Sequence, residues 1–75
     1  MTLSELEEGL QARIIDLSGI NPLVRRRLLD LGILEGSMIR LIHRLPLRGA
    51  FALEVNHQEF GLRYAEAKRI EVEVV

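Results

Sequence analysis

Arg27-Leu28-Leu29-Asp30-Leu31-Gly32-Ile33-Leu34-Glu35-Gly36-Ser37-Met38-Ile39 is the stretch that decides how this chain of 75 residues folds. Just upstream, Asn21-Pro22 is a helix start. The Asn side chain accepts from a free first-turn N–H, and Pro lacks the N–H that would otherwise go unpaired there. Gly32 supplies the stop, because the backbone leaving a helix turns through a conformation that a Cβ disfavours. The helix predicted between them runs from Pro22 to about Asp30 or Leu31. Val24, Leu28 and Leu31 fall at i, i+4 and i+7 and make one apolar face, which should pack onto strands. Leu34-Glu35-Gly36 reads as a turn, Gly36 opens the next strand, and Ile39 points back inside. The unit lays a helix across the mouth of a small barrel.

On either side the periodicity changes from helical to alternating. Gln11 to Leu17 reads as a strand, with adjacent Ile14 and Ile15 leaving its buried face open. Ser37 to Leu45 is a strand with Ile39, Leu41, His43 and Leu45 on one face and Met38, Arg40, Ile42 and Arg44 on the other. Pro46 ends it, and Arg48-Gly49 marks a loop. Ala50 to Val55 alternates through Phe51, Leu53 and Val55. Asn56-His57 is a hairpin turn, since Asn tolerates positive φ, and Gln58 to Leu62 returns. Arg63 to Lys68 has room for one helical turn. Ile70, Val72 and Val74 then alternate with Glu71 and Glu73. At the N-terminus, Thr2 and Glu5 have the spacing of a capping box for a short turn that Gly9 ends. The expected fold is mainly β, a small barrel of about five strands with one inserted α-helix and short helical turns. Residues 1–75 form a single domain.

Composition narrows the function classes. With 48% hydrophobic and 28% charged residues the chain is globular rather than disordered. Phe51, Phe60 and Tyr64 are its only aromatics, so the core is aliphatic. It has no cysteine, which in a domain this small points to a reducing, cytoplasmic compartment. Met1 to Glu8 lack the basic start and apolar run of a signal peptide, and no apolar stretch approaches the ~20 residues that cross a bilayer. A net charge of −1 gives no general field for nucleic acid. A core this small leaves little room for a deep cleft. No Gly-x-Ser-x-Gly elbow, phosphate loop, reactive cysteine or His-Glu-x-x-His is present. These features favour a binding module over an enzyme.

The quoted stretch resembles the "RL-x-x-LG-[ILM]-x-x-G-[ST]-x-[IF]" core of the ferrous-iron transport protein A (FeoA) family. The likeness continues at Pro46-Leu47, Leu62-Arg63, Ala67 and Ile70-Glu71-Val72. It rests on Leu28, Leu31, Gly32, Gly36 and Ile39, and the N-terminal third matches more loosely. The loop reads Pro46-Leu47-Arg48-Gly49-Ala50 where many members carry a Gly-Asp-Pro-like run. The resemblance implies an SH3-like barrel acting in bacterial ferrous-iron uptake. Its implied partner is the cytoplasmic GTP-binding part of the ferrous-iron permease, through which alone it would meet the membrane. It implies no cofactor. A similar barrel serves as an accessory domain in metal-dependent repressors. Here no helix-turn-helix precedes the domain and the chain starts at Met1, which favours a free-standing protein.

For partner contact the candidates are Arg25, Arg26 and Leu29 on the helix, with Leu47, Arg48 and Gly49 in the loop. Leu29 is apolar, yet it projects between two arginines on the predicted outer face. With Leu47 it would form a patch of the kind that sits at interface centres. Arg25, Arg26 and Arg27 fan out over about 200° of helix and do not make one phosphate-binding surface. Arg40, Arg44 and Arg48 would form a basic strip on the sheet. RNA recognition would need stacking aromatics beside them, and none accompanies these residues. A direct ferrous-iron carrier would use His43 and His57 with a carboxylate. The strand and turn positions of the two histidines do not imply that they converge.

Overall fold

Helix α1 spans Pro22–Asp30, bounded by the residues that predict it. In the computed structural model, which describes residues 1–75, Asn21 Oδ1 accepts the Leu23 N–H at 2.7 Å. Gly32 has φ +81°. The Gly32 N–H reaches the Leu29 carbonyl at 2.9 Å and the Ile33 N–H reaches that of Leu28 at 2.8 Å, the paired bonds of a Schellman stop. Leu28 is buried, with Val24 and Leu31 packed half-buried against the core.

Five antiparallel strands follow the predicted order: β1 Gln11–Asp16, β2 Met38–Arg44, β3 Phe51–Val55, β4 Gln58–Leu62 and β5 Glu71–Val74. They lie side by side as β4-β3-β2-β1-β5. A second helix, α2, is one turn at Tyr64–Ala67, and a 3₁₀ turn covers Leu3–Glu5. The Thr2 N–H donates to Glu5 Oε1 at 2.7 Å, so the predicted Thr2–Glu5 spacing does close. The core is 17 buried residues, every one apolar, with Phe51 its only aromatic. No helix is long and apolar enough to cross a membrane.

Two bulges curl the sheet. On β1, Ile14 faces Val72 and Asp16 faces Glu71, so Ile15 is an extra residue. This resolves the Ile14-Ile15 ambiguity: Ile14 is buried and Ile15 bulges outward, exposed. On β2, Leu41 faces Leu53 and His43 faces Ala52, so Ile42 is extra. Each inserted residue bends its strand and increases the twist.

The second bulge overturns part of the expected alternation. A period of two carried through Ile42 places His43 and Leu45 inside and Arg44 outside. With one residue added, the faces swap. His43 joins exposed Arg40 in the outward set, while Arg44 pairs with buried Phe51. Its guanidinium lies 5.4 Å from the Phe51 ring centroid and donates to the Leu6 carbonyl. Leu45 is exposed beyond the strand end.

Both sheet edges are managed. Beside β5, the Val72 N–H donates to the Met1 carbonyl and the Leu3 N–H to that of Ile70, each at 2.8 Å. At β4, an Arg27 guanidinium nitrogen takes the Gly61 carbonyl at 2.9 Å. Such covering limits strand-to-strand association.

Candidate partner-binding surface

The outer side of α1 and the β2–β3 loop carry the candidate contacts, and each is shaped by its local chemistry. On α1, Arg26 pairs with Asp30 one turn on, at 3.6 Å, with both side chains exposed. Arg27 is drawn off to β4, so the three arginines do diverge. Leu29 is 52% exposed. It borders a groove of about 440 Å³ with Leu17, Arg25, Ile33, Leu34 and Glu35. Glu35 is fixed at the groove's rim, where its carboxylate accepts the Leu17 N–H at 3.0 Å. The groove is apolar at its base, with one cation and one anion at its edge. Leu34, which the sequence reading assigned only to a turn, is exposed beside Leu29.

The β2–β3 loop is a tight turn. Gly49 N–H donates to the Pro46 carbonyl, and Leu45 N–H to that of Ala50, each at 3.1 Å. Leu47 and Arg48 both have φ +58°. Gly49 is required by space, because a Cβ there would lie 2.7 Å from Leu45 Cβ and 3.1 Å from the Pro46 carbonyl oxygen. The Arg48 guanidinium sits 5.4 Å from the Tyr64 ring centroid, a cation–π contact. Tyr64 meets Phe51 edge-on at 6.3 Å. Leu47 stands clear of everything, 99% exposed.

The expected joint patch of Leu29 and Leu47 is not what the chain builds. Leu29 belongs to the groove with Leu17 and Glu35, whereas Leu47 tops a turn held against Tyr64. The predicted basic strip is also absent. Arg40 lies 3.9 Å from Glu54, Arg44 turns in over Phe51, and Arg48 lies on Tyr64. One feature that sequence reasoning missed is a shallow groove of about 350 Å³ beside the loop, lined by His43, Leu45, Ala52 and Phe60 among others. No sequence signal marks it, because its lining depends on the register shift at Ile42.

The histidines stay apart from any ligand set. His43 Nδ1 is 3.1 Å from Glu8 Oε2, and that same oxygen accepts the Arg44 N–H at 2.7 Å. His57 lies in the β3–β4 turn with φ +65°. No three His, Asp or Glu side chains converge as a metal cage would require.

A model of the FeoA domain matches residues 1–74. The chain belongs to the FeoA family. That match takes in the N-terminal segment, where the motif likeness was loose. Over all 75 residues this FeoA chain is 35% identical to the Fe(2+) transport protein A/Fe(2+) transporter FeoB fusion protein of Porphyromonas gingivalis, spanning 9% of that protein's length. The solution structure of FeoA from Chlorobium tepidum superposes on the whole chain with a TM-score of 0.92 and 33% identity, covering 70% of that protein. FeoA of Stenotrophomonas maltophilia, a prokaryotic SH3 domain protein solved with zinc, matches 97% of this chain and 89% of its own, with a TM-score of 0.80 and 32% identity. The fold of this FeoA chain is accordingly SH3-like. A manganese-dependent transcriptional repressor shares that fold at 20% identity and a TM-score of 0.86, over 41% of its length. This is a likeness of architecture alone.

Proposed function

We propose that this chain is a non-catalytic accessory module of ferrous-iron uptake that docks on the cytoplasmic GTP-binding part of the ferrous-iron permease and shifts its conformation. The observation that carries the reading is the fused relative, in which a FeoA sequence and a transporter share one polypeptide. Two functions kept in one chain act at high effective concentration, which is useful when the free affinity is modest. The module's side of the contact is drawn from Arg25, Arg26 and Leu29 on α1 and Leu47, Arg48 and Gly49 in the loop. The core supports the same reading, since every buried residue in it is apolar and serves packing. On this reading the module works in the cytoplasm, through its outer surface.

Docking changes the permease only if it binds one of that protein's states better than another. Titrating the permease's soluble GTP-binding domain with this chain, in the GDP and GTP-analogue states, tests the proposal. Saturable binding with unequal affinity in the two states is expected. Absence of binding in both states contradicts it.

A further inference from the structure

Two tight turns in this fold share a backbone but not a chemistry. At Asn56-His57, between β3 and β4, φ is +54° and +65°; at Leu47-Arg48, between β2 and β3, it is +58° at both residues. Asn and His are enriched several-fold in this left-handed region, and hairpin turns of this form favour Asn, Asp and Gly. Leu and Arg have no such ease. The β3–β4 turn thus has the residues its geometry asks for, and the β2–β3 turn does not.

Nothing inside the domain compensates the Leu47 side chain. It is 99% exposed, and the next most exposed large apolar residue, Leu23, is 80% exposed. The turn is nonetheless firmly held: by the Gly49–Pro46 and Leu45–Ala50 hydrogen bonds, by the lack of room for a side chain at Gly49, and by Arg48 lying on Tyr64. A strained backbone that its surroundings maintain, presenting an apolar side chain that folding does not use, leaves that side chain available for a contact outside the molecule.

We propose that Leu47 is the anchor of the docking contact, a preformed knob that enters an apolar pocket with an acidic rim on the permease's GTP-binding domain. The inference rests on the docking reading above and assigns its centre: Leu47 makes the contact, while Gly49 and the Arg48–Tyr64 stack position it. The acidic rim follows from Arg48, the cation next to Leu47 in the turn, whose guanidinium is held over Tyr64. The fused relative, which joins a FeoA sequence to a transporter, points to that transporter as the partner, and the choice of its GTP-binding domain comes from the docking reading above.

The test compares wild type, Leu47→Asn and Leu23→Ala for thermal stability and for affinity toward the permease's GTP-binding domain. Leu47→Asn relieves the left-handed strain, so its Tm should rise by about 4 °C or more. Its affinity should fall at least tenfold, while Leu23→Ala binds as wild type does. If wild type binds and Leu47→Asn binds equally well, the anchor is overturned and docking stands. If wild type does not bind, docking itself fails, and sedimentation with vesicles of phosphatidylcholine and phosphatidylglycerol decides what Leu47 meets. Leu47-dependent capture by vesicles overturns the protein pocket in favour of lipid, and no capture overturns the anchor altogether.

Discussion

Arg27 reaches from α1 to the carbonyl oxygen of Gly61 on the edge strand β4, 2.9 Å away. This bond ties the helix to the sheet edge, alongside the packing of Leu28, and occupies an acceptor that another strand would otherwise pair with. Arg27→Ala should lower stability by about 0.5–1 kcal/mol, below the usual range for a bond to a charged group because the site is solvated. It should also make association concentration-dependent, by freeing the edge. Urea melts and sedimentation read the two effects. Unchanged behaviour in both contradicts this role.

Burial sets the order of the helix truncations. Leu28 is 1% exposed, so Leu28→Ala leaves a cavity in the core and should cost about 2–5 kcal/mol. Leu31 is only half-buried, and Leu31→Ala should cost clearly less. Denaturant unfolding gives both values, and equal losses would contradict the packing described for α1.

The glycines separate by space. At Gly49 an added Cβ meets Leu45 Cβ at 2.7 Å, whereas at Gly61 it meets nothing within 4 Å. Gly49→Ala should destabilise by about 1–3 kcal/mol, because the turn must shift to accept it. Gly61→Ala should be neutral or stabilising by about 0.5 kcal/mol through the unfolded chain. Melting temperatures check both, and a tolerated Gly49→Ala would mean the turn is looser than its hydrogen bonds indicate.

Acid should unfold the protein partly through two carboxylates. The Ser18 N–H donates to Asp16 Oδ1 at 2.8 Å and holds the Asp16 carboxyl below its ordinary value of 3.8. The Thr2 N–H does the same for Glu5, below 4.5. A depressed folded value means the stabilisation is present above the ordinary pKa and is lost as the pH falls through the folded one. Tm should therefore drop from about pH 5 downward, and Asp16→Asn with Glu5→Gln should flatten that drop. An unaltered acid slope in the double variant would assign acid unfolding to other groups.

Much of this was legible in residue chemistry. Asn21, Pro22 and Gly32 mark α1 because each satisfies or stops a helix end by its own covalent structure. Asn56 marks its turn for the same kind of reason. The bulge at Ile42 was not legible, because alternation assumes an unbroken register and one extra residue reverses every face beyond it. His43 and Arg44 consequently exchanged sides, and the expected basic strip dissolved into separate contacts with Glu54, Phe51 and Tyr64. The left-handed Leu47-Arg48 turn was hidden for the opposite reason. Gly49 signalled a loop, but Leu and Arg carry no preference for the backbone they adopt, so its shape depends on tertiary contacts. The candidate residues Leu29 and Leu47 were each readable as unusual. Their different settings, Leu29 in the groove with Leu17 and Leu47 on the turn beside Tyr64, were not.

Mapping the contact residue by residue tests the docking account most directly. The isotope-labelled chain would be titrated with the permease's GTP-binding domain while its backbone amides are followed by NMR. The account predicts that the perturbed amides cluster at Leu47 to Ala50 and at Arg25 to Leu29, with β5 and the Met1–Leu3 segment undisturbed. Perturbations confined to β5 and that segment, or none at saturating partner in either nucleotide state, would contradict it.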